Sequence, residues 1–217
     1  MIETEVANEP AAQRAYRALE RMIVTLDLSP GGTTTEGALI ERLALGRTPV
    51  REAIQRLAWD GLIEIRPRAG LAVAPLLAPD WPLVVDARAG VEIVLARSAA
   101  RHASSLDRQR LQEAADAMNA AVAAADTLAF LEADKQLDEV IAAASDNSFA
   151  VRVAAPLQSH SRRFWFRYQS DTGLAQSAEH HVRLIRAVLD GDEWQAGREA
   201  ERLMGMLRQL AEHAARR

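Results

Sequence analysis

The chain has 217 residues, no cysteine and a formal net charge of −4 at pH 7. The lack of cysteine excludes disulfides, thiol catalysis and cysteine-based zinc sites, and the net acidity argues against unspecific binding of polyanions. No apolar run approaches the ~18 residues that span a bilayer and no secretory signal pattern opens the chain, so we expect a cytoplasmic protein with no membrane partner.

Three short helices are predicted in the first third of the chain. Apolar residues at helical spacing indicate the first helix over about 11–27, up to a Ser-Pro-Gly-Gly breaker. Thr35 is placed to cap a short second helix that ends near Gly46. The third helix begins at Thr48, because Pro49 fits a first helical turn, where a missing N–H costs nothing.

The third helix is predicted to have one apolar and one polar face. Val50, Ala53, Ile54 and Leu57 form the apolar stripe. At 100° per residue, Thr48, Arg51 and Gln55 fall together on roughly the opposite side. Arginine can donate bidentately to guanine and glutamine can pair with adenine edges, so this face suits the major groove of DNA. The alternative is the solvated, charged face of a small helical domain.

A two-stranded hairpin with a basic tip follows the third helix. Residues 62–65 and 71–73 alternate as strands do, and the tip between them carries Arg66, Arg68 and Gly70. From Arg42 to Arg68 six arginines face three acids, which makes this window +3 and leaves −7 for the remainder. The basic hairpin favours the DNA-binding interpretation and predicts a winged helix-turn-helix.

The rest of the chain is predicted to be helical. The helices run over about 80–104, 107–124, 127–144, 147–168, 175–190 and 193–214. Short breaks between them favour antiparallel packing. The fold class is therefore mainly α, an N-terminal winged helix-turn-helix followed by a C-terminal antiparallel all-α bundle of six or seven helices. Prolines divide the chain into a DNA-binding domain (1–75), a linker (76–82) and a helical effector-binding and dimerisation domain (83–217).

The region around the third helix resembles the signature of GntR-family bacterial transcription regulators. The matching residues are Arg47-Thr48-Pro49-Val50-Arg51-Glu52-Ala53-Ile54, then Arg56-Leu57, then Asp60-Gly61-Leu62. The helical remainder resembles the FCD branch (FadR C-terminal domain), whose bundle binds an effector. The resemblance implies that Arg47, Thr48 and Arg51 contact operator DNA and that the wing around Gly70 reaches the minor groove.

Two glycines depart from the family pattern. Gly37 stands where some members place a DNA-contacting arginine, and Gly46 stands where serine or threonine is usual. We therefore expect fewer contacts to DNA from each wing module than in those members. Useful operator affinity normally takes two modules on an inverted repeat, so we expect a homodimer on double-stranded operator DNA.

Ionisable side chains are predicted to point into the bundle. Asp134 and Asp138 lie one turn apart on the face that carries Leu131 and Ile141. His181 points inward as well, because its helix places Leu184, Ile185 and Val188 on the same side. Burying such groups is costly unless something satisfies them.

The resemblance connects these residues to a metal site. Many FCD proteins hold a divalent ion with an Asp-x-x-x-His pair and two later histidines. Asp134 and His181 match two of those positions, whereas Asp138 and Leu203 stand where the other histidines would be. Asp134, Asp138 and His181 form a reduced ligand set for a divalent ion such as Zn, Ni or Mn. The alternative is a hydrogen-bonded Asp134–His181 pair in a metal-free pocket.

Two arginines are candidates for anchoring a small carboxylate effector. Arg88 lies in line with Val84 and Leu95, so its guanidinium should face the interior, where bidentate binding of a carboxylate is strongest. Arg163 is the second candidate, on a helix that also carries Phe164.

Three functions compete for this sequence. The first is a ligand-responsive transcription regulator without catalysis. The second, a metal-dependent helical-bundle enzyme fused to a DNA-binding domain, needs repeated Glu-x-x-His pairs on facing helices, and the sequence has none. The third, an architectural DNA-binding module without a ligand, predicts a bundle core free of ionisable residues. The inward Asp134, His181 and Arg88 favour the regulator.

Overall fold

The structure is a computed structural model that describes residues 9–169 and 173–216. Contacts divide it into two units between Leu76 and Leu77. The N-terminal unit consists of α1 (Ala11–Val24), β1 (Thr33–Thr34), α2 (Glu36–Leu43), α3 (Arg47–Trp59), β2 (Ile63–Arg66) and β3 (Gly70–Val73). The helical unit consists of α4 (Asp80–His102), α5 (Ser105–Ala123), α6 (Thr127–Ala144), α7 (Ser148–Tyr168), α8 (Gly173–Leu189) and α9 (Glu193–Ala215).

The N-terminal unit is a three-helix domain with a small antiparallel sheet. The strand order is β1-β3-β2, with Ile63 opposite Val73 and Thr33 opposite Ala72. The predicted winged helix-turn-helix is confirmed, and β1 adds a third strand that the sequence analysis did not predict. A strand of two residues is too short to show the alternation of polar and apolar residues by which strands are recognised in a sequence.

The core of this unit explains why α3 is held rigidly. Its apolar stripe packs with α1, and Leu19, Val50 and Leu57 are fully buried. Each such side chain contributes about 1.5–3 kcal/mol by leaving water. The Tyr16 hydroxyl also donates a hydrogen bond of 2.8 Å to Asp60, which ties α1 to the end of α3.

The six helices of the described part of the helical unit begin and end within two residues of their predicted bounds. Side-chain caps fix most of the starts. Ser104 and Asp107 form a capping box at α5, and Asp126, Asn147 and Asp192 each accept the backbone N–H three residues ahead. Helix α4 begins at Asp80 with Pro82 in its first turn, so it starts within the range 76–82 that the sequence analysis assigned to the linker.

Helices α4 and α7 pack antiparallel in the bundle. At one end the Trp81 ring stacks on Phe164 with ring centroids 6.0 Å apart, and at the other end the Ser98 hydroxyl donates to the Ser145 carbonyl at 2.7 Å. This pairing brings the middle of α4 against the middle of α7, where Arg88, Glu92 and Gln158 meet. In the described ranges, no helix has the length and apolar character needed to cross a membrane.

Candidate functional site

The polar face of α3 is exposed as predicted from its helical phase. Thr48, Arg51 and Gln55 lie on the surface of the N-terminal unit, while Val50 and Leu57 on the other side are fully buried. Because the buried side fixes the rotation of the helix, the polar side chains are presented on a rigid support. A rigid helix with exposed donors can read base edges.

Glu36 holds Arg51 in position. It is the first residue of α2, and its Oε2 accepts a hydrogen bond of 2.8 Å from Nε of Arg51. This bond uses Nε, so Nη1, on the opposite edge of the planar guanidinium, points away from the carboxylate. Local sequence spacing does not reveal this role of Glu36, because its contact joins two helices across a separation of 15 residues.

The wing carries its arginines at the end of the hairpin. Arg66 donates through Nε and Nη2 to Oε2 of Glu64, at 3.1 and 2.7 Å. Arg68 is exposed in the turn, with a φ of 64°. Gly70 has a φ of 86°, and a Cβ there would lie 2.8 Å from the Thr34 carbonyl oxygen. Glycine is therefore needed for the close approach of β3 to β1.

Six ionisable side chains meet in the helical unit, and we name them the polar cluster. They are Arg88, Glu92, Asp134, Asp138, Arg162 and His181. Arg162 spans the two aspartates of α6, with Nε donating to Asp134 at 2.8 Å and Nη2 donating to Asp138 at 2.7 Å. His181 donates from Nε2 to the other oxygen of Asp134 at 2.8 Å.

The hydrogen bonds of His181 indicate that it is an imidazolium. Its Nε2 faces the Asp134 carboxylate, and its Nδ1 lies 2.6 Å from the Ser177 carbonyl oxygen. Both partners are acceptors only, so both ring nitrogens must donate. Burial lowers the pKa of His181, but the hydrogen bond and charge of Asp134 outweigh it and raise the pKa above its usual value.

The two aspartates have opposite pKa shifts. Burial raises the pKa of Asp134, but the hydrogen bond and charge of His181, joined by the charge of Arg162, hold it well below its usual range. Burial and the neighbouring Asp134 charge raise the pKa of Asp138 to about 7, against the attraction of Arg162. Asp134 is therefore the permanent anion of the cluster, and Asp138 is the carboxyl that titrates near neutral pH.

Arg88 and Glu92 form a second buried pair one turn apart on α4. Nε and Nη2 of Arg88 donate to Glu92 Oε1 at 3.0 and 2.7 Å, and the same oxygen accepts from Gln158 at 3.1 Å. Burial lowers the pKa of Arg88, but the charge of Glu92 outweighs it and the pKa is raised. The bonds to Glu92 do not use Nη1 of Arg88.

A narrow cavity of about 20 Å³, room for about one water molecule, opens beside the cluster. Its walls are Arg88, Phe130, Leu131, Asp134, Ser161, Arg162, Trp165, Ser177, His181 and Leu207. The Trp165 indole donates to the Ser177 hydroxyl at 2.9 Å, which fixes one wall. Apolar walls with a few buried cations are typical of sites for small organic anions, and an anion larger than water enters this cavity only if its walls move apart.

The structure brings together most of the residues that the sequence analysis proposed for the bundle. Asp134, His181 and Arg88 line the cavity, and Asp138 lies behind Arg162. Arg163 does not line it: this side chain is fully buried elsewhere, and burial lowers its pKa to about 10. The arginine on the cavity wall is its neighbour Arg162, which shares a helical face with Gln158 and Trp165.

The predicted metal ligand set does not fit a metal ion in this arrangement. Asp134, Asp138 and His181 do converge, but both carboxylates face the Arg162 guanidinium, and both ring nitrogens of His181 are engaged by Asp134 and the Ser177 carbonyl. Across residues 9–169 and 173–216, no group of three His, Cys, Asp or Glu side chains has the geometry to hold a metal. The alternative of a hydrogen-bonded Asp134–His181 pair describes the contacts.

Two protein-family profiles match the chain. The profile described as bacterial regulatory proteins, gntR family, matches residues 11–73, and the FCD domain matches residues 84–206. These ranges correspond to the winged unit and to most of the helical unit.

Similar sequences are named as transcriptional regulators. An HTH-type regulator from the TAR-I ttuE–ttuC′ intergenic region of Agrobacterium vitis is 30% identical over 145 residues, which are 64% of this chain and 82% of that protein. The HTH-type transcriptional repressor RspR of Escherichia coli is 29% identical over 150 residues, 69% of this chain and 66% of its own length.

Solved structures share the fold along nearly the whole chain. McbR/YncC of E. coli superposes with a TM-score of 0.79 at 17% identity, covering 94% of this chain and 98% of the other. A GntR-family regulator from Pseudomonas syringae superposes with a TM-score of 0.52 at 18% identity, covering 96% and 91%. At these identities the likeness shows a common architecture.

Proposed function

Because this DNA-binding regulator belongs to the GntR family and carries the FCD domain, we propose that it binds an inverted-repeat operator as a homodimer and responds to a small carboxylate. Its relatives are named transcriptional regulators, and the chain is a regulator rather than an enzyme. The observation that carries the proposal is the cavity lined by three buried cations. The other unit of the same chain presents α3 as a rigid helix for reading DNA, the reading helix.

The reading helix supplies the contacts to DNA in this proposal. Arg51 and Gln55 reach base edges in the major groove, and Arg47 and Thr48 hold phosphates at the N-terminus of α3. The wing arginines and Gly70 lie along the neighbouring minor groove. Glu36 orients Arg51 in the free protein, which lowers the entropy lost when the guanidinium binds a base.

A second copy of the chain completes the operator-binding unit. One module with few contacts binds weakly, and two modules on half-sites about one helical turn apart reach useful affinity. The surface of the helical unit offers apolar area for such an association. Leu83 and Val94 on α4 and Phe149 and Val153 on α7 are 66, 47, 76 and 55% exposed. Because α4 and α7 are adjacent, these side chains favour a dimer through this pair of helices.

The effector enters the cavity in the helical unit. A carboxylate of the ligand accepts from Nη1 of Arg88, and its apolar part lies against Phe130, Leu131 and Leu207. The ligand must favour one arrangement of the dimer over another, since a ligand with equal affinity for both shifts nothing. An architectural protein without a ligand would have no use for such costly buried charges.

Repression is the direction of control that we propose. The E. coli relative is named a repressor, and a dimer bound across an operator blocks access to the DNA beneath it. The site of action is the bacterial cytoplasm, where operator DNA is located.

The Arg51→Ala variant tests the proposal that α3 reads the operator, because it should no longer distinguish the operator from other DNA. An operator is first selected from random DNA with the wild-type protein, and affinities for it and for a scrambled duplex are then measured by fluorescence anisotropy. Loss of one bidentate base contact should cost about 1–3 kcal/mol on the operator and little on the scrambled duplex. Arg198→Ala, an exposed arginine of the helical unit, is the matched control. Unchanged discrimination in Arg51→Ala would remove α3 as the reading helix.

A further inference from the structure

The polar cluster already contains a cation at the point where its carboxylates converge. Asp134 and Asp138 lie one turn apart on α6, and their Oδ2 atoms accept from two nitrogens of the same Arg162 guanidinium at 2.8 and 2.7 Å. The exposed fraction of each of these three side chains is between 9 and 13%. A planar guanidinium bound to two carboxylates supplies both the charge and the directed donors that they require.

Both ring nitrogens of His181 already have a partner in this arrangement. Nδ1 lies 2.6 Å from the Ser177 carbonyl oxygen, and Nε2 lies 2.8 Å from Asp134. A metal bound at Nε2 would have to displace the proton shared with Asp134. His181 therefore serves as a hydrogen-bond partner of Asp134 beside Arg162.

Each carboxyl group of the polar cluster has a nitrogen donor without a metal. Glu92 accepts from Arg88, Asp138 accepts from Arg162, and Asp134 lies against both Arg162 and His181. A divalent ion would add two positive charges to a buried site whose carboxylates are already paired, at a high desolvation cost. Leu203, at the position where the family resemblance implies a last histidine, is a buried apolar side chain of α9.

We infer that Arg162 takes the place of a divalent metal ion in this chain, so that the cluster is neutralised by an internal cation and the cavity needs no metal. The cavity then offers an incoming anion the Nη1 donors of Arg88, which the bonds to Glu92 do not use, in place of open coordination positions. As a consequence, a simple carboxylate suffices as ligand and a chelating group confers no advantage. That consequence alone rests on the proposed effector function.

Metal content and thermal stability of the wild-type protein test the inference first. Untagged full-length protein, purified without chelator, is analysed by elemental mass spectrometry, and its melting is followed by circular dichroism with EDTA or with Zn²⁺, Ni²⁺ or Mn²⁺. The inference predicts far less than one metal per chain and the same Tm in all conditions. Near-stoichiometric metal whose removal by EDTA lowers the Tm would overturn it.

Arg162→Met provides the complementary test, because it frees both carboxylates while keeping a long side chain in place. We expect this variant to melt below the wild type and to gain a response to Zn²⁺, with a rise in Tm of roughly 5–10 °C at 100-fold excess over its Kd. Arg162→Met combined with Asp138→Asn is the control and should lose most of that rise. If the single variant folds only when Zn²⁺ is present, the inference is equally supported. A Zn²⁺ response as large in the wild type as in Arg162→Met would contradict it.

The two measurements that test the role of Arg162 are independent of the effector and of the operator. Metal content and Tm do not depend on whether the protein binds a carboxylate or on which DNA it recognises. A failed operator selection would therefore leave the inference about Arg162 untouched, and a metal-loaded wild type would leave the DNA-binding proposal untouched.

Discussion

Replacing Asp134 by alanine should strongly destabilise the helical unit. Its carboxylate accepts from Arg162 and from His181, both at 2.8 Å, and the three side chains are nearly buried. The substitution leaves two buried cations that have lost their shared counter-ion. Breaking a buried pair in this way costs about 3–5 kcal/mol. For a protein of this size each kcal/mol lowers the Tm by roughly 2–4 °C, so we expect a fall of roughly 6–20 °C.

Thermal unfolding followed by far-ultraviolet circular dichroism measures this change. Asp86→Ala is the matched control, because Asp86 pairs with Arg208 at the surface of the same unit and its side chain is 49% exposed. An exposed pair contributes about 0–1 kcal/mol, so the control should melt within roughly 4 °C of the wild type. Equal Tm values for Asp134→Ala and Asp86→Ala would refute the reasoning that the polar cluster stabilises the bundle.

Three further predictions concern the titrating carboxyl and the DNA-binding unit. Because burial raises the folded-state pKa of Asp138 to about 7, this group contributes stability below its unfolded pKa near 4 that is lost as the pH rises to 7. Asp138→Asn should therefore gain stability relative to the wild type between pH 5 and pH 8 in parallel denaturant titrations, and a constant difference would contradict the shift. Glu36→Gln should keep the fold but weaken discrimination between operator and scrambled DNA in anisotropy titrations, because Arg51 loses its charged partner; unchanged discrimination would show that Glu36 does not position it. Gly70→Ala should cost about 1–3 kcal/mol in denaturant unfolding of the winged unit, because of its positive φ and the Thr34 carbonyl, and an unchanged midpoint would show that β3 can shift.

The boundaries of the bundle helices could be predicted because local signals agree at most of them, whereas the first two helices end at Val24 and Leu43, about three residues before their predicted ends. For α6, Asp126 caps the start and apolar residues recur at helical spacing up to Ala144. The same helical spacing also predicted that the side chains of Asp134 and Asp138 point into the bundle. The strand β1 could not be predicted, because its two residues pair with β3 only through contacts distant in sequence.

The choice between Arg162 and Arg163 was beyond the sequence for a physical reason. Residues 161–165 are all buried, so this part of α7 has no solvent-facing side and helical phase no longer separates an inward from an outward arginine. Only the position of α6 shows which guanidinium meets the carboxylates. The Glu36–Arg51 contact was missed for a related reason, since no local spacing links the first residue of α2 to α3.

The footprint of the protein on its selected operator tests the central proposal most directly. DNase protection is mapped on both strands of a duplex that carries the operator. We predict two protected half-sites related by an inverted repeat, with centres about one or two helical turns apart. Arg51→Ala, tested at concentrations that saturate the wild type, should leave both half-sites open. A single asymmetric site, or protection that does not depend on sequence, would contradict the account of a dimeric operator-binding regulator.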